Sequence, residues 1–427
     1  MEQLEVEKKG LDWIWLVIVF LFSINLFEKG HLLLLLLLLV GLIVINYKES
    51  KFKITIDQLL IFLFSISYFV ILSMHRSPGT GAMLIYLIGP ITCYFIGYFI
   101  IKVDSKFIVK TMLSITLGLF LYGLLNMINY FQIYGFNPNL TGLRVVPNIW
   151  TGGVLTATLQ GTYFALVSSL LFYSYILLKK GKYILLPIII IGCTIFSIIS
   201  SFILGNRTLI VIVMVSFVIS FLVYSFLERK NKKEFFKVLL YFSGLLSLIF
   251  IFFISNSFGL KDFVLHSTWY SRTETASMLD DARIKFYKIA LSQMFDFPFG
   301  GYNMSFTYAH NLLLDVLNAT GLIPFFFLLL YTLNSIKGVV NIIIYKSIDL
   351  QFKIFTLSIY LGFFLVFMVE PILEGVPYMF LLFILFNGMT NKYIEVCKSM
   401  RKSKGEKKYE NIMANEYPSS RSMSVNE

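Results

Sequence analysis

Charge is what this chain has least of. Only 14% of its 427 residues are charged and 57% are hydrophobic, against about 25% and roughly 45 to 50% in soluble domains. That balance excludes a soluble protein. Cysteine is equally sparse: Cys93, Cys193 and Cys397 are odd in number and scattered, so they form neither a disulfide framework nor a metal-ligand spacing. No P-loop, GxSxG elbow or HExxH helix occurs, which leaves nucleotide hydrolysis, serine hydrolysis and zinc proteolysis without a motif. Charges deep inside apolar runs are also missing, because Asp12, Asp57 and Asp315 all sit within four residues of a run's end. An ion-coupled transporter or channel usually needs such groups along its pathway.

What the chain has instead is apolar length. Runs fall near 11–27, 31–46, 56–74, 82–101, 111–134, 154–178, 183–204, 208–227, 238–257, 312–333, 354–369 and 377–391. Most approach the ~20 residues of a membrane helix. They lack the alternating period of a barrel strand, so helices are the structures that satisfy their own backbone in lipid. The first run follows Lys8 and Lys9, but only Glu28-Lys29-Gly30-His31 comes after it, with no small-residue cleavage site. It reads as a permanent anchor rather than a signal peptide. The expectation is an all-α polytopic membrane protein of twelve spans, one domain over 1–397, followed by a polar, disordered cytoplasmic tail over 398–427.

The formal charge of +12 reports orientation in such a chain, not a nucleic-acid partner. With the N-terminus in the cytoplasm, the inner segments hold 27 of the 36 lysines and arginines. Every inner loop contributes, as the positive-inside rule requires. The outer side holds nine cations, comprising five of the eight arginines but four of the 28 lysines. Orientation alone does not choose arginine. Its planar guanidinium grips phosphate through two parallel hydrogen bonds, which lysine does not, so an outer phosphate-bearing ligand is implied.

The five outer arginines differ in setting. Arg207 stands in Gly205-Asn206-Arg207-Thr208, a short link between two apolar runs with no acid nearby in sequence. Arg144 lies in the connection 135–153 among turn residues and apolar side chains, where it either reaches over a site or contacts lipid headgroups. Arg76, beside a Ser-Pro-Gly turn, reads as a snorkelling or loop-paired side chain. Arg272 and Arg283 belong to the one large outer connection, 258–311. Long loops of this kind tend to carry function. Within it Ser277-Met278-Leu279-Asp280 resembles a capping box opening a helix over 278–295, stopped by Phe297-Pro298-Phe299-Gly300-Gly301. The loop's basic and acidic residues balance, so Lys285 and Lys288 read as the solvated face of an amphipathic helix. All four histidines fall on the outer side; His31 and His75 read as interfacial anchors, and His310 has the more suggestive company.

Asn206-Arg207-Thr208 opening a helix, then Arg283, Tyr287, Ala290, Pro298, Gly300, His310-Asn311 and Gly321 in that order, resemble the O-antigen polymerase and ligase family of bacterial membrane glycosyltransferases. The resemblance covers roughly 270–330 in order and spacing; elsewhere it is one of hydropathy. It implies undecaprenyl-pyrophosphate-linked oligosaccharide as donor and acceptor at the outer face of the bacterial plasma membrane. It also implies Arg207 and Arg283 as pyrophosphate ligands and His310 as an essential loop residue.

Joined to the residue reading, it predicts a lipid-linked glycan whose pyrophosphate meets Arg207, Arg283, Arg144 and Arg272, with Asn311 and Tyr287 in support. A single inverting displacement would follow. No cofactor is expected, and no metal, since the first outer link lacks an acidic pair. His310, beside a helix start whose exposed N–H groups disfavour imidazolium, is the expected base. Asp281, or Asp280, competes for that role, and a purely structural His310 at the helix start stays open. A polymerase takes a second repeat unit as acceptor; a ligase takes lipid A core or protein. The Ile-, Phe-, Lys- and Asn-rich composition favours polymerisation of capsule or exopolysaccharide. A flippase or exporter and a noncatalytic scaffold are the rivals. Expected partners are membrane lipids, flippase and chain-length regulator proteins.

Overall fold

The computed structural model describes residues 2–29, 54–75, 79–100, 104–135, 143–181, 184–228, 251–275, 282–301 and 308–416, with isolated positions between 236 and 247. The expected second span, 31–46, lies outside the described residues, as does much of the first half of the ninth, 238–257.

The described residues are mostly helical. The chain opens with α1 (Glu2–Ser23) and α2 (Ile56–His75), followed by α3, a composite helix over 80–100 in which α and π turns alternate. Next comes α4 (Ser105–Tyr134). A small hairpin of β1 (Val145–Pro147) and β2 (Val154–Thr156) leads into α5 (Ala157–Ser169), α6 (Leu171–Lys180), α7 (Leu185–Leu204) and α8 (Arg207–Leu227). Short helices α9 (Leu260–Leu265), α10 (Thr268–Thr275) and α11 (Ala282–Ser292) come next. The chain continues through α12 (Leu312–Thr320), α13 (Leu322–Ile344), α14 (Leu350–Phe367), α15 (Ile372–Gly375) and α16 (Pro377–Glu416). Seven described segments are long and apolar enough to cross a membrane: α2, α4, α5 with α6, α7, α8, α13 and α14. Shorter apolar helices cover Asp12–Ser23 and Met83–Phe99. These lengths and compositions make the chain a membrane protein of the all-α class.

Three features differ from the hydropathy reading. The expected run 312–333 is two helices, because Gly321 takes φ 79° and a side chain there would sit 2.0 Å from the Pro298 carbonyl oxygen. Leu322 N donates to that same oxygen at 2.8 Å, so the break seats the Pro298 turn. The last helix continues to Glu416, carrying helical backbone into the segment 398–427 whose polarity suggested disorder. The connection 135–153 carries a hairpin that neither period nor turn signals revealed, with Val146 opposite Leu155.

α5 lies at the centre, packed against α4, α7, α8 and α14. Its neighbours bury large aromatics such as Phe164, Phe355 and Phe363. One face of α8 stays outward: Val211, Met214, Val218 and Leu222 are 46–62% exposed and spaced three or four residues apart. Such an apolar stripe suits lipid rather than water.

Candidate functional site

Three helix starts build the site. At α5, Thr156 caps the helix by accepting from Leu159 N at 3.2 Å, and Ala157 N donates to the Arg144 carbonyl at 2.8 Å, which pins Arg144 to the hairpin. At α8, the Asn206 side chain accepts from Thr208 N and Leu209 N and donates from Nδ2 to the Ala157 carbonyl at 3.0 Å. One residue therefore both caps α8 and ties it to α5. Gly205 before it takes φ 66° and packs against α10, where Arg272 Nη1 donates to the Gly205 carbonyl at 2.7 Å. At α12, Asn311 accepts from Leu313 N and Leu314 N. Exposed N–H groups and the aligned peptide dipoles make each of these ends favourable to an anion.

His310 precedes the third start in a left-handed conformation, φ 58°. A carboxylate holds it there: Asp315 accepts from Ala309 N at 2.6 Å and from Asn311 N at 3.0 Å, clamping the backbone on both sides. α11 closes the site, since Tyr287 donates its hydroxyl to the Met368 carbonyl at 2.8 Å.

The result is a cavity of about 720 Å³ lined by Arg144, Arg207, Arg272, Arg283, Tyr287 and His310. Its remaining wall is largely apolar, formed by Val211, Ile212, Ile284, Phe286, Leu365 and Met368. Arg144 Nε and Arg207 Nη1 are buried without a hydrogen bond among the described residues. Buried donors of this kind cost free energy until a ligand satisfies them. Burial lowers the Arg144 guanidinium below its ordinary value, and the neighbouring Arg283 and Arg207 push the same way, while Glu370 opposes them.

Glu370 is the charged counterweight. It is 2% exposed and its Oε1 lies 3.7 Å from Arg283 Nη2. Burial pushes its carboxyl up to about 7, against the pull of Arg283, Thr158 and Arg144. Burial, helped by Glu374, likewise pushes Asp315 up to about 8.

All four arginines expected to meet pyrophosphate thus face one cavity, with His310 and Tyr287. Asn311 serves as a helix cap beside it, its Nδ2 3.5 Å from Met368 Sδ. Asp281 and Asp280 lie outside the described residues, and so do Arg76 and His31. Lys285 and Lys288 are exposed and do not line the cavity. His75 hydrogen-bonds the Phe299 carbonyl at 2.9 Å, which ties the end of α2 to the Pro298 turn. Glu370, Thr156, Thr158 and Asp315 were given no site role from the sequence. Asp315 was visible as an acid four residues beyond Asn311 in a helix's first turn, and Glu370 as an acid between two apolar runs. Among the described residues no three His, Cys, Asp or Glu side chains gather as a metal site would. No known family profile matches the chain, and no characterised protein matches it in sequence.

Proposed function

We propose that the chain is a membrane glycosyltransferase that polymerises undecaprenyl-pyrophosphate-linked oligosaccharide repeat units at the outer face of the bacterial plasma membrane. The observation that carries this reading is the convergence of four arginines from four separate segments on one cavity with an apolar wall. A diphosphate diester supplies negative charge for the guanidinium forks. Its polyprenyl tail suits the apolar wall at Val211, from which the outward stripe of α8 continues through Met214, Val218 and Leu222.

In this reading an acceptor sugar hydroxyl attacks the anomeric carbon of the donor. The new C–O bond forms as the bond to the pyrophosphate oxygen breaks, with inversion. The departing pyrophosphate keeps the electron pair, and Arg207, Arg283, Arg144 and Arg272 stabilise its growing charge in a water-poor site. The acceptor proton passes to His310, which lines the same cavity. Purified protein in lipid nanodiscs, given only the lipid-linked repeat unit, should yield a ladder of longer glycans and free undecaprenyl pyrophosphate. With lipid A core or protein added, transfer to that acceptor alone would make it a ligase, and in sealed vesicles movement of the intact donor across the bilayer without glycan growth would make it a flippase.

A further inference from the structure

A second cavity, of about 200 Å³, lies on the other face of the hairpin strand β2. Successive strand residues point to opposite faces, and here Thr156 lines the arginine cavity while Leu155 lines the second one. The segment after α14 is shared in the same way, with Met368 and Val369 on one side and Gly375, Pro377 and Tyr378 on the other.

The two linings differ in chemistry. The second cavity is lined by Glu28, Asn25 and the phenols Tyr122, Tyr163 and Tyr378, together with apolar side chains and, among the described residues, no cation. Tyr122 and Tyr163 meet edge to face at 4.7 Å between ring centroids, and Tyr163 stacks with Tyr378 at 6.4 Å. Glu28 is set in place by its backbone: Asn25, Phe27 and Glu28 all take positive φ, between 49° and 55°. Side chains rarely adopt that conformation, and it persists only where surrounding contacts impose it. Those contacts come from the hairpin loop, since Asn148 Nδ2 donates to the Glu28 carboxylate and Trp150 Nε1 donates to the Ile24 carbonyl at 3.4 Å.

We infer that this second cavity binds a neutral sugar ring of the glycan, as a saccharide subsite beside the pyrophosphate site. Among the described residues an anion meets no positive partner here, and an acyl chain offers no hydrogen bond to the Glu28 carboxylate or to the buried Tyr378 hydroxyl. A polyhydroxylated ring offers hydroxyl donors to Glu28, hydroxyl acceptors to the tyrosines, and apolar C–H faces to the aromatic walls. A cavity with few convergent polar groups on an apolar lining is the usual form of a small-ligand site. This inference rests on the polymerase reading, which supplies the glycan.

The test is direct binding, without turnover. The probe is the repeat-unit oligosaccharide released from lipid by mild acid, and the readout is saturation-transfer NMR on the full chain in nanodiscs. Wild-type protein should show transfer to the sugar. Glu28→Gln, which keeps an acceptor for Asn148, and Tyr378→Phe should bind about tenfold more weakly, while Arg207→Lys should bind as wild type does. Undiminished binding in both cavity variants, or loss of binding in Arg207→Lys, overturns the subsite. So does complete displacement by spermidine at lower concentration, which would mark a site for organic cations. Absence of transfer in the wild type also overturns it, and leaves the polymerase reading to its own turnover assay.

Discussion

The two ends of the helical bundle handle buried polarity in opposite ways. At one end Asp57, at the start of α2, is enclosed by donors: Asn334 Nδ2 at 2.6 Å, Asn391 Nδ2 at 2.5 Å and the Tyr94 hydroxyl at 3.4 Å. One turn from Asn391, Asn387 donates to the Tyr331 hydroxyl at 2.8 Å and Ser335 at 2.9 Å, and accepts from Tyr360. At the other end four arginines share a cavity, with the buried carboxylate of Glu370 beside Arg283 and that of Asp315 tied to the backbone around His310. In a low-dielectric interior a satisfied polar network joins helices, whereas like charges gathered without enough counter-charge raise the energy of the empty site. The first arrangement serves stability. The second, in the proposed function, serves a ligand that brings negative charge with it.

The comparison breaks first at the arginines. Arg207→Lys and Arg283→Lys keep the charge but lose the bidentate fork, and each should cut turnover about a hundredfold or more at normal protein level. Lys285→Gln and Lys288→Gln should stay near wild type. Turnover of lipid-linked donor by purified variants measures all four.

At the other end the expected loss is in stability. Asp57→Ala leaves the Asn334 and Asn391 amides without their acceptor, at about 1 to 3 kcal/mol for each unsatisfied buried group. Its thermal unfolding midpoint in detergent should fall, with turnover per folded molecule unchanged. A turnover defect at full stability would erase the distinction between the two ends.

A pH series sharpens the contrast. Burial raises Glu370 to about 7. For a carboxyl raised in the folded state, the stabilising contribution is fully present below its unfolded value and is lost as pH climbs through about 7. Wild-type unfolding midpoints should therefore drop between about pH 5 and pH 8, and Glu370→Gln should flatten part of that drop. Asp315, raised to about 8 by burial, accounts for the part that remains. Donor affinity should also fall with rising pH in the wild type, because ionised Glu370 competes with pyrophosphate for Arg283. The smallest effect belongs to Tyr287→Phe, which removes the bond to the Met368 carbonyl. It is worth about 1 kcal/mol, so donor affinity should weaken by severalfold at most.

Much of the cavity was legible in the sequence because its components are marked by rarity. Arginine is scarce in this chain, so its concentration at positions expected on the outer side stood out before any fold was known. Apolar runs gave helices α2, α4, α7, α8 and α14 nearly to their ends, since length and composition decide them. Hydropathy does not see backbone conformation, and so it joined α12 to α13 across Gly321. Nor does it see partners distant in sequence. Glu370 is a lone acid until α11 places Arg283 beside it, and the hairpin that positions Arg144 depends on pairing across the loop 148–153.

Equilibrium binding reads out whether the arginine cavity holds a lipid pyrophosphate, as the proposed function requires. Undecaprenyl pyrophosphate, undecaprenyl monophosphate and undecaprenol should be titrated against the purified protein in nanodiscs, alongside Arg144→Gln and Arg207→Gln. Affinity should fall in that order, with the pyrophosphate preference reduced about tenfold or more in each variant. Equal affinity for undecaprenol, or a pyrophosphate preference untouched by both substitutions, would contradict it.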